Sequence, residues 1–199
     1  MSVTISGDGT LTGIAVGGLP DGVVDTDTLA TDAVTAAKIG SLPAGTVLQV
    51  VQVIKTDAVS QSTSGSTNYD IMNASITPSS TSSKILVTLQ LNSSVSGPFD
   101  SLGVNLRRGS TTIYRGDEAG SRKQFSGTVD LPSNTKRTNV MFINYLDSPA
   151  TTSETTYTIR FVDANADSGT FYINRGSSDT NNASHMRVPS SLTLTEVAG

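Results

Sequence analysis

Six aliphatic residues recur at every fifth position near the start of the chain: Ile14, Leu19, Val24, Leu29, Val34 and Ile39. An interval of five matches neither the two-residue alternation of a strand nor the 3.6-residue turn of a helix, so no single amphipathic element faces its own core here. Ordering five residues costs roughly 5 to 10 kcal/mol of backbone entropy, whereas burying one aliphatic side chain returns about 1.5 to 3 kcal/mol. The missing stabilisation has to come from outside the chain, through backbone bonds to partner strands and surface covered by a neighbour. Residues 14 to 39 are therefore expected to form a shaft, wound with identical copies or laid on a larger assembly, with the ladder along the oligomer axis. The alternative is a disordered tail whose spacing is accidental, in keeping with its small residues and few aromatics. A short helical pattern from Asp32 to Lys38, capped by Thr31 or Asp32, is too short to stand alone.

The joint Gly40-Ser41-Leu42-Pro43-Ala44-Gly45 marks the expected boundary. Residues 1–13 are then an N-terminal anchor with a strand and a Gly7-Asp8-Gly9 turn, 14–45 the shaft and joint, and 46–199 a domain large enough to bury a core. Only 15% of the 199 residues are charged and the formal net charge is −4, so no basic surface invites nucleic acid or an anionic membrane. No apolar run approaches the roughly 18 residues that cross a bilayer, and the start MSVTISGDGT carries no secretory signal pattern, so synthesis in a cytosol is expected. Cysteine is absent, which removes disulfides, thiolate catalysis and sulfur-held metals. Tryptophan is absent as well, and a chain without staples or large anchors depends on oligomerisation.

Beyond the joint the pattern is that of strands, and the abundance of Ser, Thr, Asn and Gly favours sheet surfaces and turns over helices. Thr46 to Ile54 is apolar on both faces, as in a strand covered twice, the second cover being another subunit. Residues 55 to 67 read as a polar surface loop. Strands are expected at Tyr69–Ile76, Lys84–Asn92, Leu102–Arg108, Thr111–Arg115, Gln124–Leu131, Asn139–Leu146, Thr155–Val162, Gly169–Asn174 and Ser191–Val197. Gly109-Ser110 suits a type II′ hairpin, setting Leu106 opposite Ile113 and Asn105 opposite Tyr114. The fold class is all-β: an extended, interwound N-terminal shaft followed by an antiparallel β-sandwich of jelly-roll type.

The segment LPDGVVDTDTLATDAVTAAKIG, with the LPAGTVLQVVQV entry strand, resembles the shafts of tailed-bacteriophage fibre and spike proteins. The stretches SSKILVTLQL, NLRRGSTTIYRGD, FINYLDSPATTSETTYTIRF and SSLTLTEVAG are similar to a β-sandwich module of marine and cyanobacterial phage virion proteins. That resemblance implies a homotrimer with parallel shafts, N-terminal attachment to tail or capsid proteins, and a tip that binds a host-surface glycan or protein. A capsid decoration, cement or head-fibre protein without receptor binding is the alternative.

Few constellations suggest chemistry. His185, the sole histidine, has Ser184 beside it in sequence but no orienting third group, and reads as a surface histidine rather than a base. Asp163, Asn165 and Asp167 match the first ligand positions of a calcium loop, yet Ser168 stands where the turn glycine belongs and Asn174 where the bidentate Glu belongs; a hairpin turn is the plainer reading. Asp117, Glu118, Asp130, Asp147 and Glu154 lie beside turns and read as solvated acids rather than a glycosidase pair. Arg115-Gly116-Asp117 spells an adhesion tripeptide that three turn-compatible residues explain without a receptor. The glycine pairs at 7–9 and 17–18 lack the helix and Lys of a phosphate cradle. Arg107, Arg108, Arg115, Arg122, Lys123, Lys136 and Arg137 form the one cationic cluster, serving pairing with acids or recognition of an acidic glycan. No cofactor, no nucleic acid and no membrane insertion are expected, and Tyr69, Tyr114 and His185 are the candidate receptor contacts.

Overall fold

The computed structural model describes residues 4–5, 11–12, 42–63, 65, 68–97, 102–129, 134–165 and 167–199. The ladder from Ile14 to Ile39, the shaft expected around it and the helical pattern at 32–38 lie outside the described residues. The chain divides into two units, Met1–Leu42 and Pro43–Gly199. In the first, β1 (Thr4–Ile5) and β2 (Leu11–Thr12) pair antiparallel with Ile5 opposite Leu11.

The second unit consists of two antiparallel sheets, and no helix occurs among the described residues. One sheet holds β3 (Val47–Lys55), β4 (Val59–Thr63), β6 (Lys84–Ser96), β10 (Asn139–Asp147), β12 (Gly169–Ile173) and β13 (Ser190–Val197). The other holds β5 (Asn68–Ile76), β7 (Leu102–Arg108), β8 (Thr111–Ile113), β9 (Gly127–Thr128) and β11 (Thr155–Asp163). The first is in effect four long strands. One edge of β6 pairs with β10; the other pairs with β13 as far as Gln90 and with β12 from Ser93 onward. Outside these lie β3 against β13 and β4 against β12, with Lys55 opposite Ser190 and Val59 opposite Ile173. Two neighbouring strands are thus broken at the same level.

Alternation builds the core from both inner faces: Ile85, Val87, Leu89 and Leu91 of β6 meet Tyr157, Ile159 and Phe161 of β11, all fully buried. Phe161 and Phe171 stack across the sheets with ring centroids 4.2 Å apart. Polar groups close one end. Asp147 and Glu196 flank Ile85 on its two neighbouring strands, and both are buried. Asp147 accepts two bonds from Arg108 at 2.9 Å and one from the Tyr157 hydroxyl at 2.6 Å, so it ties β10 to the opposite sheet. Burial, then the bond to Asp147, raises the Tyr157 phenol above its usual range. Glu196 accepts the Ser79 backbone N–H at 2.7 Å, the Ser79 hydroxyl at 2.6 Å and the Gln49 amide.

Several sequence expectations change here. The segment at 55 to 67 is not all loop: Val59, Gln61 and Thr63 face inward while Ser60 and Ser62 are exposed, and β4 pairs with β12 through residues small enough to leave only a weak pattern. The hairpin at Gly109 has φ +54° there and sets Leu106 opposite Ile113. Asn105 does not meet Tyr114, because the strand ends at Ile113 and Tyr114 turns away at φ +52°. The strand expected over Gln124–Leu131 shrinks to Gly127–Thr128 among the described residues. Conversely, β6 runs four residues past the expected end, to Ser96.

Candidate functional site

Both sheets contain the same local device, a strand interrupted by a loop that leaves and rejoins one edge of its neighbour. Departure occurs at Ile113-Tyr114-Arg115-Gly116 in one sheet and at Ile173-Asn174-Arg175-Gly176 in the other. The second residue of each quartet is left-handed, with φ +52° at Tyr114 and +62° at Asn174, a region asparagine tolerates well and tyrosine poorly. That one residue turns the chain out of the sheet. A serine hydroxyl then closes each gap on return. Ser126 Oγ accepts the Leu106 N–H at 2.8 Å and donates to the Ile113 carbonyl at 3.3 Å. Ser190 Oγ accepts the Asn92 N–H at 2.9 Å and donates to Asn174 Oδ1 at 2.6 Å. Asn174, itself buried, donates from Nδ2 to the carbonyls of Lys55 at 2.8 Å and Asp57 at 2.9 Å, where the outer strand is broken as well.

Glycine allows each loop to sit tightly. A Cβ at Gly103 would lie 2.2 Å from the Phe125 ring that packs on it, and one at Gly176 would lie 2.3 Å from the Thr135 carbonyl oxygen. Loop 174–189 is further held to residues 134–137 by Ser178 N–H to Thr135 O at 2.9 Å and Met186 N–H to Lys136 O at 3.4 Å. It is anchored, not dangling.

On this loop Asp179, Thr180, Asn181, Asn182, His185 and Arg187 line an open concavity of about 370 Å³. Arg187 at 2.6 Å and Arg175 at 3.1 Å both reach Asp179 Oδ2, and the Arg187 guanidinium holds that carboxyl below its usual range. Arg175 also stacks over the Tyr172 ring at 5.0 Å. His185 Nε2 lies 3.1 Å from Ser178 Oγ and 3.2 Å from Thr180 Oγ1, and its Nδ1 lies 3.3 Å from Thr180 Oγ1. The serine beside the histidine in space is thus Ser178, not Ser184. A nucleophile needs its base oriented by a third group, but the nearby carboxylate of Asp179 is taken by two arginines and His185 has only hydroxyl partners. Amide, hydroxyl, imidazole and guanidinium groups converging on an open hollow suit hydrogen bonding to a polyhydroxyl ligand.

The other residues singled out in the sequence are dispersed. Tyr114 is exposed and packs on Tyr145 with centroids 5.0 Å apart. Tyr69, expected at the surface, stands opposite Phe161 and packs partly against the core, because a register shift at Ile159/Arg160 turns it inward. Asp163 is buried, and its Oδ1 accepts the N–H groups of Asn165 and Asp167, each at 3.3 Å, which is the hydrogen bonding of a turn. Among the described residues no three acidic or His side chains converge as a metal site. Of the cationic cluster, Arg108 pairs with Asp147, while Arg107 and Arg122 donate to the carbonyls of Ser110 and Ala119. The sequence singles out His185 but not its convergence with Ser178 and Thr180, nor that of Arg175 with Asp179, both of which depend on closure of the loop.

No family model matches the chain, and no curated protein matches it either. Among solved structures it is similar to the VP2 subviral particle of infectious bursal disease virus, at 15% identity and a TM-score of 0.37, over 76% of this chain and 38% of that one. The chain therefore spans well under half the length of that neighbour. No helix among the described residues is long and apolar enough to cross a membrane.

Proposed function

We propose that the chain is a non-enzymatic virion structural protein, a short fibre or spike. In this reading it attaches through its N-terminal segment to capsid or tail proteins and, as a homotrimer, presents its sandwich to a host-surface glycan or protein. The resemblance of the 19–53 segment and of the four strand stretches to phage fibre and virion proteins supports the virion role. One observation carries the binding role: loop 174–189, fixed to a two-sheet scaffold at both stems, opens a polar hollow lined by Asn181, Asn182, His185 and Arg187. Contact residues on a loop held by rigid sheets are the usual place for recognition. The hollow offers neutral donors and acceptors for sugar hydroxyls, with Arg187 half exposed for a carboxylate.

Full-length chain applied to an array of bacterial surface glycans, and to host cells, tests this. Binding is expected, with Asn181→Ala and His185→Ala each weakening it at least about tenfold, equivalent to about 1.4 kcal/mol. Absence of binding to any glycan or host cell, or equal binding by both variants, would overturn it. Density on capsid faces in a virion map, together with no receptor binding, would put a decoration role in its place.

A further inference from the structure

The outer face of the first sheet is covered in one half and bare in the other. Over β12 and the end of β6 the covering is loop 174–189: Ser94 Oγ donates to Arg175 O at 3.0 Å and Asn92 Nδ2 to Pro189 O at 2.7 Å. Over β3, β13, the start of β6 and β10 the register sets three outward rows side by side across all four strands. Ile54, Ser191, Gln90 and Phe142 form one, and Val50, Thr195, Leu86 and Leu146 another. Between them run Gln52, Thr193, Thr88 and Asn144. Val50 and Ile54 are each 58% exposed, Phe142 61% and Leu146 49%.

None of these twelve positions is charged, and the further outward row of Val47, Val197 and Lys84 places a single charge at the end of the face. The opposite sheet differs: its outer face carries the Arg160–Asp70 ion pair and Arg107. A face with large exposed apolar side chains and one charge at its end marks a contact surface, and its three central rows offer nothing for a charged partner to pair with. A second copy of the chain is the partner that fits. Each copy carries a net charge of −4, so copies repel one another least where no charge stands. The exposed apolar side chains also form two stripes, Val50 and Ile54 on β3 and Phe142 and Leu146 on β10, separated by Ser191, Thr193 and Thr195 of β13 and by Gln90, Thr88 and Leu86 of β6. Residues 1–42, expected from their ladder to join copies, run directly into β3 and would hold these faces at raised local concentration.

We infer that this bare face is where copies meet, the β3 stripe of one copy lying against the β10 stripe of the next. A head-to-tail contact of this kind closes into a ring, whereas a two-fold axis along the strands makes the same contact but stops at a dimer, and one across the strands sets like stripes together. The inference deepens the trimer reading above by naming the surfaces involved.

Absence of cysteine from the chain makes the test direct. Three strand spacings of about 4.8 Å separate β3 from β10, roughly 14 Å, beyond the ~7 Å between Cα atoms that a disulfide can span. In full-length protein the Ile54→Cys, Phe142→Cys double variant, whose two positions share one row, should therefore oxidise only between copies, giving dimers and closed trimers on a non-reducing gel. Neither single variant should do so. Phe142→Arg should shift the association equilibrium toward free chains at least tenfold while the folded domain keeps its thermal transition, since the side chain is exposed. Cross-linking by a single variant would replace the head-to-tail contact with a like-to-like one, and cross-linked dimers without any trimer would replace it with a two-fold one. No cross-link in a double variant whose solution mass is still that of a trimer would overturn the inference alone; a monomeric mass for the wild-type chain would overturn the trimer reading with it.

Discussion

Asn174 holds together the place where two adjacent strands of the first sheet are broken. Its side chain satisfies two carbonyls of the outer strand and the hydroxyl of Ser190, and its backbone takes the left-handed turn that releases loop 174–189. Asn174→Ala should cost about 3 kcal/mol in urea unfolding, since buried acceptors lose their donor and alanine resists the conformation. Asn174→Gly, which relieves only the second difficulty, should recover no more than about 1 kcal/mol of that. At Glu196 burial pushes the carboxyl up, but hydrogen bonds from Ser79 and Gln49 outweigh it and hold the group at about 2 against an ordinary 4.5. The folded value lies below the unfolded one, so this stabilisation is complete above pH ~4.5 and is lost as pH falls toward 2. A shift of that size corresponds to about 3 kcal/mol. Urea midpoints measured from pH 6 to pH 2 should fall steeply in the wild type and less steeply in Glu196→Gln, which begins from a lower plateau.

At the scale of elements, Asp147 is the counterpart of Glu196 on the other side of Ile85, and its partners differ in what they can lose. Tyr157→Phe removes one bond to a carboxylate that keeps Arg108 and should cost about 1 to 2 kcal/mol. Asp147→Ala strands a buried phenol and a partly buried guanidinium together and should cost about 3 to 5 kcal/mol. Equal losses in thermal unfolding would show that Arg108 contributes nothing. These strands were legible in the sequence because β6, β11 and β13 alternate strongly, and the period of two belongs to the strand itself, while β10 stood out as an apolar run between polar turns. Strand β4 was not, since VSQST has one aliphatic residue and its pairing depends on β12. Nor was the inward turn of Tyr69, which follows from a bulge at Ile71 in its own strand, seen only in the register against β11. His185 stood out as the sole histidine in a polar loop. Its neighbours Ser178 and Thr180 did not, because only closure of the loop onto β13 brings them to the ring.

For the whole molecule, the decisive quantity is the mass in solution. A sheet face with large exposed apolar side chains leaves surface that a lone chain does not cover, and the ladder of one aliphatic residue in five is expected from the sequence to need partners as well. The full-length protein should therefore sediment near three times its 20.6 kDa chain mass. Val24→Asp and Val34→Asp place a charge on the expected axis, where copies related by symmetry bring like charges together without a counter-ion, a cost of several kcal/mol per assembly. Each should release single chains. The domain from Pro43 onward has its own core, from Ile71 through Leu194, so its unfolding should survive in the released chains within a few degrees of the domain's own value. Dissociation with the domain intact would separate the axis from the sandwich as independent sources of stability. Unchanged mass in both variants would mean that the ladder faces water, and the sheet face alone would then have to hold the copies together.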